Sequence, residues 1–86
     1  MIIYKYYLKV TDIQTILMPK GAEILSAGIQ ANNICIWASV NPEIELEGRV
    51  FQIIGIGHGE YEPRLTEFIG TVFASAYVWH IFEVVK

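Results

Sequence analysis

The stretch ILSAGIQ-ANN-ICIWASV, residues 24–40, decides the fold. Ile24 to Gln30 and Ile34 to Val40 are short β-branched runs separated by Ala31-Asn32-Asn33. Asparagine tolerates left-handed backbone better than other non-glycine residues, so the segment reads as a tight β-hairpin. In its second arm Ile34, Ile36, Ala38 and Val40 fall on one face, and Cys35, Trp37 and Ser39 on the other. The first set reads as core. A large aromatic such as Trp37 on the opposite face is either part of a second packed layer or a stacking platform.

The same two-residue rhythm extends outward in both directions. Ile2 to Val10 places Tyr4, Tyr6, Leu8 and Val10 on one face, with Lys5, Tyr7 and Lys9 on the other. Lysines on the outer face discourage further pairing, so this is expected to be an edge strand. Ile13 to Met18 follows, stopped by Pro19 and Gly21. Asn41-Pro42 ends the strand after the hairpin, and Glu43 to Gly48 is expected as loop. Arg49 to Ile56 is a fifth strand whose apolar run is interrupted by Gln52. An irregular stretch from Gly55 to about Leu65 has room for a single helical turn near Pro63 to Glu67. Thr66 to Ala74 and Ala76 to Val85 close the chain as a final pair. The last strand is apolar on both faces except at His80 and Glu83, which places it in the middle of a sheet. About seven strands imply an all-β, single-domain chain over residues 1–86, a small antiparallel barrel or two-sheet sandwich.

Eighty-six residues bury only part of their surface in one core, yet 53% of them are hydrophobic and only 17% charged. Some of that apolar excess is expected to be covered by a partner or by a second copy in a homodimer. The net charge is −3 and the six Lys and Arg are scattered. Without a basic stripe, nucleic acid is not an expected partner. A lone cysteine, Cys35, fits a reducing cytoplasm. The longest uncharged stretch, Phe68 to Phe82, falls short of the roughly 20 apolar residues of a membrane helix, so no membrane is expected.

Candidate chemistry is sparse. The run Gly55-Ile56-Gly57-His58-Gly59 has glycines close enough for backbone amides to approach an anion, but a phosphate loop of that kind needs a helix behind it. Glu60, Glu62 and Pro63 stand there instead. His58 and His80 with Cys35 make at most a partial metal site, so no metal is assigned. No catalytic residue and no cofactor is assigned, and the chain reads as non-enzymatic. The candidate ligand-binding residues are Trp37, Gly57, His58, Trp79 and His80. An indole would stack on a flat ligand, and the loop amides and His58 would lie near an anion.

The segments Leu17 to Leu25, Ile29-Gln30, Ile34 to Ala38, Phe51, Gly55 to His58, Phe68 to Thr71 and Val78 to Glu83 together resemble a family of short uncharacterised proteins found in bacteriophage and prophage genomes. Trp37-Ala38, the Gly-x-Gly-His at 55–58 and Trp79-His80 carry most of that resemblance, and this chain has Ile56 where the family more usually has Thr. The resemblance implies a small β-rich fold, origin in a phage or mobile element and action inside the bacterial host. On this reading the chain is expected to block or sequester a host protein or a small nucleotide-like ligand, as a counter-defence factor. The alternative is a structural or assembly protein of the virion.

Overall fold

The computed structural model describes residues 1–57, 59–74 and 76–85. Seven strands follow one another: β1 (Ile2–Leu8), β2 (Ile13–Pro19), β3 (Glu23–Gln30), β4 (Asn33–Val40), β5 (Leu46–Gly55), β6 (Thr66–Ala74) and β7 (Tyr77–Val84). They form two antiparallel sheets, one ordered β1-β4-β3 and the other β2-β5-β7-β6. The fold is all-β, a two-sheet sandwich as the alternation implies, with no helix among the described residues. A thickness of 16 Å against 40 and 31 Å in the other directions fits two stacked layers.

The hairpin of residues 24–40 forms as expected, with one refinement. Ala31 and Asn32 both have positive φ, 50° and 63°, and Gln30 pairs with Asn33. This is a two-residue turn of the primed type, whose twist matches that of the flanking strands. Asn33 therefore belongs to β4. Two other expectations need correction. β5 begins at Leu46 rather than Arg49, because Gly48 and Glu47 continue the ladder opposite Leu17 and Met18 of β2. No helical turn forms at Pro63 to Glu67: the Leu65 amide donates to the Glu62 carbonyl at 2.9 Å in a simple turn, and β6 starts at Thr66.

Ile34, Ile36, Ala38 and Val40 are buried in the core with Leu8, Met18, Phe51, Ile53, Val72 and Ile81. Tyr6 packs on this cluster, and burial, reinforced by the neighbouring Tyr4, pushes its phenol above the ordinary value. Tyr4 and Val10, expected on the same side, are exposed because β1 is an edge strand and ends at Leu8.

One long side of the sandwich is closed and the other is open. On the closed side β3 packs against β6, and both strands carry a bulge, at Leu25 and at Ile69. Bulges bend and twist a strand locally, which turns these two edges toward each other. A Cβ at Gly70 would lie 3.5 Å from the Ala27 Cβ, so the layers meet at side-chain contact there. On the opposite side β1 and β2 are the outermost strands of their sheets.

β5 and β6 run parallel with β7 between them, and the segment from Gly59 to Leu65 passes over the outer face of β7 as a strap. This strap explains why β7 is apolar on both faces. Its inner face (Trp79, Ile81) meets the core, and Phe82 on its outer face lies under Tyr61 of the strap. The outward-pointing Gln52, buried, holds the strap by donating to the Glu60 carbonyl at 2.9 Å.

Candidate functional site

Four connections gather at the end of the sandwich that carries Trp79 and Gly57. The β1–β2 turn, the hairpin tip at Ala31-Asn32, the end of β5 and the β6–β7 connection meet there because the registers align Leu8 with Ile34 and Gly55 with Trp79. Trp79 points inward from β7 and plugs this end. Its half-buried indole packs on the core and forms a wall shared by three adjoining hollows. The largest, about 580 Å³, runs from Trp79 past Tyr77 and Ala74 to Tyr7, Lys9 and the Asn32-Asn33 tip. A second, of about 290 Å³, joins Trp79 to Gly55, Gly59, Val10 and Asp12. The third, about 430 Å³, lies between Trp79, Tyr77 and Ile56. Tyr77 leans on Trp79 with ring centroids 5.9 Å apart and planes tilted by 40°. Tyr77 and Tyr7 are half or more exposed, so the end presents rings with both a buried anchor and an accessible rim.

Trp79 thus meets the glycine run, since Gly55 and Gly59 line one hollow with it. Gly57 lies in the turn just after β5 with φ 73°, a left-handed conformation that favours glycine. His58 lies outside the described residues. The remaining two candidates are elsewhere. Trp37 occupies the outer face of the three-stranded sheet, between Lys5 and Ser26 on the neighbouring strands. Its ring lies over Gly28, where a Cβ would come within 3.0 Å of Cζ3. Cys35 beside it is fully buried, and Lys5, which bonds Gln30 from the other side of β4, sits 4.7 Å from the centre of the Tyr7 ring.

His80 points the opposite way from Trp79, onto the outer face of the four-stranded sheet, because successive residues of a strand alternate. Its Nδ1 is 2.9 Å from the Thr71 hydroxyl of β6. With Ile54, Tyr61, Phe68 and Phe82 it lines a hollow of about 450 Å³ beside the strap. Trp37, Trp79 and His80 therefore face three separate regions and do not form one pocket.

Sequence reasoning missed Tyr77 and Tyr61, and it weighed Tyr7, with Tyr4 and Tyr6, only as an addition to a stacking surface, since β-propensity also accounts for these residues. Only the hollow that Tyr7 of β1 lines with Ala74, Tyr77 and Trp79 gives Tyr7 and Tyr77 a shared role. For Tyr61 a signal existed in Gln52, since a polar residue at the centre of an apolar strand needs a partner. No group of three or more His, Cys, Asp or Glu able to hold a metal occurs among the described residues. No helix among them is long and apolar enough to cross a membrane.

A family model described as a domain of unknown function, DUF7352, matches residues 1–86. The chain belongs to the DUF7352 family. No curated protein and no solved structure matches it. In this DUF7352 chain the distinctive Trp79-His80 pair is thus split by strand alternation, Trp79 serving the loop-bearing end and His80 the strap side.

Proposed function

We propose that this DUF7352 chain is a non-catalytic, phage-encoded binding module that acts in the cytoplasm of the bacterial host by blocking a host protein, as a counter-defence factor. The observation that carries the reading is the Trp79 end of the sandwich. Three adjoining hollows share one indole wall, and Tyr7, Tyr77 and Ile56 stand exposed around it. Half-buried Trp and Tyr, seated in shallow pockets and ringed by polar groups such as Asn32, Asn33 and Asp12, are the composition of interface hot spots. Breadth favours a protein over a nucleotide-like signal. A phosphorylated ligand would need cations, and among the described residues Lys9 is the one cation lining the largest hollow, with Asp12 in the next.

The experiment compares phage with and without the gene on hosts carrying single defined defence systems. Loss of plating on one host is expected, with rescue by the wild-type gene and not by Trp79→Ala or Tyr77→Ala. Calorimetry of the purified chain against that defence protein should show direct binding. Unchanged plating on every host, or full rescue by both variants, overturns the proposal. Binding from a panel of cyclic and linear nucleotides would move the reading to a signal sponge. Stoichiometric presence in purified virions would move it to a structural protein.

A further inference from the structure

The open side of the sandwich carries an inference independent of the proposed function. We infer that two copies of this chain pair antiparallel along β2, joining their four-stranded sheets into one continuous sheet of eight.

β2 has a strand partner, β5, on one side only among the described residues, so its other edge presents a row of backbone amides and carbonyls. Edge strands normally carry charged side chains that block such pairing. β2, Ile13 to Pro19, has none: Ile13, Gln14, Thr15, Ile16, Leu17, Met18 and Pro19 are all uncharged. Ile13 and Leu17 are 57% and 61% exposed on its outer face, next to the equally exposed Leu46 of β5.

Three further observations select a second copy as the occupant. First, antiparallel pairing of identical strands is self-complementary, as a two-fold interface requires. Second, the net charge of −3 opposes self-association elsewhere, whereas β1 and β2 together hold a single charged residue, Lys5, already engaged by Gln30. Third, apolar surface for the seam is at hand. A dyad perpendicular to the sheets also turns the two β1 edges toward each other in the other layer, each set one strand back from the β2 seam. Ile2, Ile3 and Tyr4 then join Ile13, Leu17 and Leu46 at the seam, six side chains each 41% exposed or more. Their exposed side chains, with the backbone edges, are the surface that a second copy would cover toward the ~800 Å² per partner of a stable interface. The seam also covers the half-buried Ile16, which packs on the core at the open side. A register centred on Ile16 places Thr15 opposite the second copy's Leu17.

Sedimentation velocity tests this directly: the wild-type chain should run at twice 9.8 kDa at micromolar concentration. Leu17→Lys, which puts two like charges beside the dyad, should raise the dimer dissociation constant at least ~100-fold with an unchanged circular dichroism spectrum. Ile16→Cys should oxidise to a covalent dimer, since directly opposed residues lie within disulfide range, whereas the native chain with its buried Cys35 should not. The cross-link reads the register even if Leu17→Lys fails to fold. A monomer at every concentration overturns the inference. So does a dimer that survives Leu17→Lys and dissociates on Tyr77→Lys at the far end.

Discussion

Arg49 and Glu83 form a two-pronged ion pair across neighbouring strands at the end of the sandwich opposite Trp79. The Arg49 Nη2 donates to Glu83 Oε1 at 3.0 Å and its Nε to Oε2, while Nη1 donates to the Ala22 carbonyl at 2.8 Å. The fork thus ties β5 to β7 and, through Ala22, to the chain entering β3 in the other layer. Its hydrogen bond with Glu83 holds the guanidinium above its ordinary pKa, against the opposing effect of burial. Both side chains are largely buried, at 19% and 8% exposed. Removing one partner leaves the other charged and poorly solvated, which costs far more than removing both. Glu83→Ala is expected to lower stability by about 2–4 kcal/mol, and the double change Arg49→Met with Glu83→Leu to recover more than half of that loss. Urea denaturation of the wild type and the two variants gives the answer. Equal losses in the single and double variants would mean that the pair contributes no specific coupling.

Tyr61 stacks on Phe82 with centroids 4.3 Å apart and planes 25° from parallel. Phe68 meets the same ring edge-on at 5.4 Å. This stack, with the Gln52 bond to the Glu60 carbonyl, fastens the strap to the sheet. Tyr61→Ala should cost about 1–2 kcal/mol, from the lost stack and the re-exposed Phe82. Hydrogen exchange should separate this local release from global weakening. Faster exchange confined to residues 59–65 is expected, and uniform acceleration over all strands would refute a fastening role.

The strand set was legible because apolar and β-branched runs are bounded by turn residues, and in β4 the alternating Ile34, Ile36, Ala38 and Val40 all fall in the core. Periodicity also placed β1 at an edge and β7 in a sheet interior. It did not show how the layers meet, because pairing depends on residues distant in the chain. The bulges at Leu25 and Ile69 have no sequence mark, although they turn β3 and β6 toward each other. For the candidate site, alternation alone separates Trp79 from His80, and opposite layers separate both from Trp37. The glycine run proved close to Trp79 only because β5 and β7 are neighbours, a fact that no local pattern contains.

Ala31 occupies a left-handed position at φ 50° in the hairpin tip. Alanine has no side-chain compensation for that conformation, whereas asparagine tolerates it and leads in primed turns. Ala31→Asn should therefore stabilise the chain by about 0.5–1 kcal/mol, raising the thermal midpoint by several degrees in a domain of this size. A neutral or lower midpoint would show that the tip relaxes in solution to another turn.

Gly28 of β3 lies diagonally across the ladder from Trp37 of β4, and the indole leans over it into the space where a side chain would stand. An added Cβ would lie 3.0 Å from Cζ3 and 3.3 Å from Cη2. The six-membered ring must then swing outward or the strands must part. Swinging is the smaller change, since the outer face of this sheet is open to solvent above the ring. Gly28→Ala is expected to cost about 1–3 kcal/mol through overpacking, and to leave the Trp37 ring more accessible. Fluorescence distinguishes this from a change at the other indole. In a Trp79→Phe background, which leaves Trp37 as the sole tryptophan, Gly28→Ala should shift emission to longer wavelength and increase acrylamide quenching. Unchanged emission with a full loss of stability would mean that the backbone yields instead of the ring.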